Sequence, residues 1–204
     1  MIETLISFSL ATLALALSPG PDNMFVLTQS IVNGKKYGLA TVFGLISGCI
    51  VHTTLLAFGV SAIIKESESI FFGIKLFGAA YLLYLAYKVF KSDASIAFSE
   101  DNVAQKTTTQ LFKQGFIMNV LNPKVSIFFL AFFPGFLFSD SLSTVIQFYV
   151  LGFLFMFVSL LVFSTLAILA GSISTYIKSH NNVGLYLKWT QSVVFIAIAI
   201  FILK

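Results

Sequence analysis

Arginine is absent from this chain: all twelve of its basic residues are lysine. Charge of either sign is scarce, with 10% of residues charged against roughly 25% in a typical soluble domain. So few charges cannot cover a water-facing surface. That excludes a soluble binding module and makes lipid the expected solvent. The lysines sit in short segments between apolar runs, not on one continuous face. Membrane orientation therefore accounts for them better than a nucleic-acid partner, and no nucleic acid is expected. A single cysteine, Cys49, excludes an intramolecular disulfide and reads as a small buried packing residue. The two histidines, His52 and His180, stand far apart without metal-ligand spacing, so no metal site or cofactor is expected.

What the chain has instead is apolar length. Of its 204 residues, 58% are hydrophobic, 24 of them phenylalanine, and the mean hydropathy is +0.97. Six apolar segments stand out, at about 4–32, 38–64, 69–88, 111–138, 142–170 and 185–203. Each is near or above the roughly 20 residues a spanning helix needs. Runs this long without turn signals do not fit barrel strands of roughly ten residues. The expected fold is an all-α polytopic membrane helix bundle of about six transmembrane helices, one domain over residues 1–204. Residues 4–17 resemble a signal-peptide core, but Met1-Ile2-Glu3 brings no positive charge, so the segment is expected to be retained.

The links after segments one, three and five carry Lys35 and Lys36; Lys88, Lys91, Lys106 and Lys113; and Lys178 and Lys188. The positive-inside rule places these links in the cytoplasm and both termini outside. Lys75 is expected to snorkel toward an interface, and Tyr81, Tyr84 and Tyr87 to form an interfacial belt. A polar loop is expected at about 91–108, and a link at about 171–184.

Segments one and four are both broken near mid-length by proline, in "LALSPGPDNMF" and in "NVLNPKVS". Proline removes a backbone donor and clashes with the preceding turn. The backbone groups it frees cannot face lipid, so they must be buried in protein or line a wet cavity. Two halves of three spans each, about 1–92 and 109–204, have opposite topology, which is the inverted-repeat plan of many transporters. Aligning Pro21-Asp22 with Pro123-Lys124 puts opposite charges at equivalent positions of the two halves. An amino acid zwitterion complements them: ammonium for Asp22, carboxylate for Lys124 or a half-helix N-terminus.

Other roles fit the same residues. Asp22 can simply cap the second half-helix, or form a permanent structural ion pair with Lys124. Asn23 and Asn122 can satisfy broken backbone without touching a solute. His52, beside Thr53 and Thr54, suits either a neutral bond to a neighbouring helix or a proton-carrying role. Gly44 and Gly48 fit close helix packing, and Pro134-Gly135 should kink or end segment four near the outer face.

The stretches "LSPGPDNMFVLTQS", "GLISGCIVHTTLLAFGV", "KLFGAAYLLYLAYKVFK" and "GFIMNVLNPKVSIFFLAFFPGF" together resemble the LysE/RhtB family of amino acid exporters. The likeness is clear over about 1–138 and continues by hydropathy. It implies an inner-membrane, multi-pass exporter of amino acids driven by proton antiport, closer to the homoserine/threonine branch than to the basic amino acid branch. One departure is visible: the family often carries Pro-Gln-Phe where this chain has Pro134-Gly135-Phe136. Breaks and resemblance together nominate Ser18, Pro19, Gly20, Pro21, Asp22, Asn23, Asn122, Pro123 and Lys124 for substrate binding, and Asp22 and His52 for proton coupling. The expected partners are an amino acid, protons and the bilayer, with a homodimer compatible. The alternative is a transporter of basic amino acids or of another small solute or cation, against which stands the single acidic residue inside the spans. No nucleophile–base pair speaks for an enzyme.

Overall fold

The computed structural model describes residues 1–18, 20–92, 106–180 and 182–203. Most of the expected 91–108 loop, residues 93–105, lies outside the described residues, as does Pro19. Among the described residues the fold is helical throughout, without strands. Helix α1 (Ile2–Leu17) ends where Ser18 turns extended, and α2 (Pro21–Asn33) starts with proline at its first position, where a missing N–H costs nothing. Gly34, at φ 96°, makes the turn into α3 (Lys35–Leu55), a left-handed conformation that favours glycine. That helix runs on through a π-helical turn, Leu56–Val60, into α4 (Ser61–Glu66). Helix α5 (Glu68–Lys91) follows, capped by the Ser67 hydroxyl.

The second half repeats the pattern. Helix α6 (Thr108–Val120) opens with a reciprocal Thr107/Gln110 capping box. After a break at Leu121-Asn122 comes α7 (Pro123–Ile127), again with proline first. It continues as a π-helical turn, Phe128–Phe132, and ends in a 3-10 turn, Phe133–Phe136, where Pro134-Gly135 was expected to stop the segment. Helices α8 (Thr144–Ile168), α9 (Ala170–Ser179) and α10 (Val183–Ile202) complete the chain. The expected link at 171–184 is thus corrected: most of it is α9. Ile173, Tyr176 and Ile177 recur at helical spacing there, and no proline interrupts them.

Among the described residues, four helices are long and apolar enough to cross a membrane alone: α3–α4, α5, α8 and α10. The α1–α2 pair bends by 60° and the α6–α7 pair by 48°; counting each as one broken span gives six crossings. Helix α3 packs along α6 and α8, and α5 along α10. The second apolar segment thus meets the fourth and the fifth, and the third meets the sixth. Glycine permits the closest of these contacts. A β-carbon on Gly44 would meet the backbone of Phe112 and Phe116, and one on Gly115 the backbone of Thr41 and Leu45. The expected packing role of Gly44 and Gly48 follows directly.

The apolar core forms two clusters. The larger is dominated by phenylalanine: Phe8 of α1 packs edge-on to Phe133 and Phe136, and Phe136 stacks on Phe201 of α10 at 4.7 Å. Phe128, Phe129 and Phe155 extend it inward. The smaller gathers Val26, Val42, Leu45, Phe163 and Ala167. Outside, Phe43, Phe72, Phe77, Phe153 and Phe157 are exposed, as a lipid-facing surface requires. Tyr84, Tyr87, Tyr176, Tyr186 and Trp189 are also exposed. Lys88 lies over the Tyr84 ring, Lys91 over Tyr87 and Lys188 over Phe90, so rings and ammonium groups share the lysine-rich end.

Candidate functional site

The two breaks meet. Asn122, the N-cap of α7, uses both ends of its amide. Its Oδ1 accepts from the Lys124 backbone N–H at 3.0 Å, and its Nδ2 donates to the Asp22 carboxylate at 2.9 Å. This bond joins residues one hundred positions apart and ties the first half to the second. Asp22 is 8% exposed and sits in the first turn of α2, whose N-cap is Gly20. Asp22 therefore does not cap its helix, which corrects that expectation. The Lys124 ammonium approaches the Ser18 carbonyl at 3.4 Å and lies 5.1 Å from the centre of the Phe195 ring. Among the described residues, the hydrogen-bond partners of Asp22 and Lys124 are thus Asn122 and Ser18, not each other. Asn23 Nδ2 donates to the Ala16 carbonyl at 2.8 Å, so it satisfies backbone freed by the break.

Gly20, Pro21, Asp22, Asn23, Asn122 and Lys124 line one internal chamber of about 40 Å³, room for about three waters. Neither Ser18 nor Pro123 lines the chamber: the Ser18 carbonyl accepts from Lys124, and Pro123 holds the start of α7. His52 is not at the chamber wall. Its Nε2 lies 3.0 Å from the Asn119 carbonyl oxygen, and its ring packs 5.4 Å from Phe129. Asn119, 3% exposed, does line the chamber, and its Oδ1 accepts from the Cys49 thiol at 3.6 Å. His52 thus stands one layer behind, against the residue that faces inward.

Sequence reasoning passed over Asn119, Phe155, Ser159 and Phe163 and read Cys49 as packing alone; all five line the chamber. The available signal was weak: single polar residues within otherwise apolar runs. Beyond Asn23 a second cavity opens, about 590 Å³, between Leu17 and Leu27 of the first span and Tyr176, Leu187 and Lys188 at the lysine-rich end. Asn23 lines both spaces. At that end the Lys188 ammonium donates to the Ser92 carbonyl at 2.7 Å, joining the end of α5 to α10.

Apolar helices sufficient for up to six crossings, two of them broken where buried polar residues meet around a chamber, are the architecture of a multi-pass membrane transporter. The LysE type translocator profile matches residues 13–204, and the chain belongs to that family. In a bacterium this places it in the inner membrane. Two relatives, the homoserine/homoserine lactone efflux proteins of Salmonella typhimurium (strain LT2) and Salmonella typhi, are each 30% identical over 177 residues. The match covers 86% of this chain and 84% of each relative. No solved structure matches the chain.

Proposed function

We propose that this protein exports neutral amino acids, homoserine and threonine first among them, by proton antiport with alternating access around the two helix breaks. The observation that carries the reading is the chamber itself: a carboxylate from one half and an ammonium from the other line it without pairing directly. A zwitterion brings the complementary charges, its ammonium to Asp22 and its carboxylate to Lys124. Ala16 also lines the chamber, and its carbonyl, which already accepts from Asn23, keeps a second lone pair as a further acceptor.

The chamber's volume suits the charged head of an amino acid and little more. The walls must part for the rest, which favours a compact state that opens in turn to either side. The larger cavity gives the route to the lysine-rich, cytoplasmic end, and the phenylalanine cluster closes the other. Protons couple through Asp22, which binds either a proton or the substrate ammonium. His52 is the second titrating group, linked to the chamber through Asn119.

The test is uptake into inside-out membrane vesicles under an imposed pH gradient, with labelled homoserine, threonine, leucine, lysine and a cation control. Gradient-dependent uptake of the neutral amino acids is the expected result. Uptake of lysine or the cation alone would overturn it.

A further inference from the structure

The chamber carries one polar group that the zwitterion reading leaves unused. Ser159 of α8 is 2% exposed, lines the chamber, and its hydroxyl has no hydrogen-bond partner among the described residues. A helical serine in an apolar environment normally turns its hydroxyl back to the carbonyl four residues earlier. Ser9, Ser30, Ser47, Ser126 and Ser192 all do so here. Ser159 does not. Thr12, Ser18 and Ser61 also have unpartnered hydroxyls, but none of them lines the chamber.

The neighbours of Ser159 sharpen the point. Phe155 and Phe163, one turn to either side on the same face of α8, also line the chamber. Phe155 belongs to one apolar cluster and Phe163 to the other, so Ser159 stands at the seam between them. It is the one polar side chain that α8 contributes to the chamber. The other polar side chains there already have partners: Asn23 on Ala16, Asn119 on Cys49, Asn122 on Asp22 and on the Lys124 amide, and Lys124 on Ser18.

We propose that Ser159 is a specificity-determining residue whose hydroxyl pairs with a hydroxyl on the side chain of the bound amino acid. This rests on the zwitterion reading above. With the ammonium and carboxylate of the substrate held by Asp22 and Lys124, the side chain is the part left to meet α8. The flanking rings accept its methylenes, and Ser159 accepts or donates one hydrogen bond. A site built to bond a hydroxyl discriminates against the analogue lacking it, because the protein's own group is then left unpaired.

The experiment compares homoserine with 2-aminobutyrate, which differs by that hydroxyl alone, in proteoliposomes containing the full chain. Labelled flux of each is measured for the wild type, Ser159→Ala and Ser159→Cys. The expected result is a wild-type preference for homoserine that falls about tenfold in Ser159→Ala, while 2-aminobutyrate flux is retained. Ser159→Cys, a weaker donor of similar shape, should fall between, and the thermal stability of Ser159→Ala should be no lower than wild type. If the wild type carries both compounds and neither variant changes their ratio, the role of Ser159 is refuted and the zwitterion reading stands. Loss of both fluxes together in both variants also refutes it, assigning Ser159 to structure. A wild type that carries neither amino acid overturns the zwitterion reading and this proposal with it.

Discussion

Asn122→Ala removes two bonds at once, and they can be separated. One is the cap on α7, in which Oδ1 accepts from the Lys124 amide at 3.0 Å. Losing an N-cap costs about 1 kcal/mol. The other is the Nδ2 bond to the buried Asp22 carboxylate at 2.9 Å. A hydrogen bond to a charged group contributes about 1.5–3 kcal/mol. The total expected loss is therefore about 2.5–4 kcal/mol. Asn122→Ser caps as well as asparagine, but its short hydroxyl cannot reach Asp22, so it should recover about 1 kcal/mol of the loss. Combining Asn122→Ala with Asp22→Ala closes a double-mutant cycle whose coupling should be about 1.5–3 kcal/mol. Unfolding in mixed detergent micelles can be followed through Trp189, the chain's one tryptophan, which packs edge-on to Phe90 at 5.4 Å. A coupling of about 0.5 kcal/mol or less, within the error of additivity, would refute the idea that the two breaks are joined here. A serine variant no more stable than the alanine variant would refute the capping contribution.

Other consequences can be checked in parallel. Asp22→Asn should abolish gradient-driven transport while membrane insertion stays normal; wild-type flux would remove Asp22 from the mechanism. His52→Gln keeps an amide donor facing the Asn119 carbonyl but cannot take up a proton. It should retain exchange of substrate across the membrane and lose the component driven by a pH gradient, measured in the same vesicles. Gly44→Val forces a branched side chain against the Phe112 and Phe116 backbone and should destabilise by about 2–3 kcal/mol in micelle unfolding. Gln147 bonds four backbone groups of the link between α7 and α8: the N–H groups of Phe138 and Ser139 and the carbonyls of Ser139 and Leu142. Gln147→Leu strips all four and should cost about 2–4 kcal/mol, with Gln147→Glu between it and wild type.

The parts of this fold legible in the sequence are those governed by local chemistry. Pro19, Pro21 and Pro123 announce the breaks because proline acts on its own turn, and α2 and α7 begin at the prolines. Lipid exposure is legible because it needs only length and apolarity. The bond between Asn122 and Asp22 is not, since nothing local says which of several asparagines faces the carboxylate. The pairing expected from aligned charges, Asp22 with Lys124, finds both residues at one chamber but missed that Asn122 and the Ser18 carbonyl stand as their partners. Asn119 and Ser159 were passed over because one polar residue in an apolar run ordinarily bonds its own helix, and only the packing around it shows otherwise. Helix α9 went unread because its apolar stripe is three residues long and lies between Gly171 and His180.

The phenylalanine cluster has a consequence for how such a transporter is driven. Phe8, Phe133, Phe136 and Phe201 pack ring against ring, Phe133 and Phe136 on the 3-10 turn and Phe8 and Phe201 on α-helices. Stacked rings slide and part without the rupture of a directional bond. They carry no titratable group and little dependence on ionic strength. Contacts of this kind are therefore indifferent to pH and salt. On the proposed mechanism any proton dependence falls to Asp22 and His52, and the rings answer only to the shape of the helices behind them.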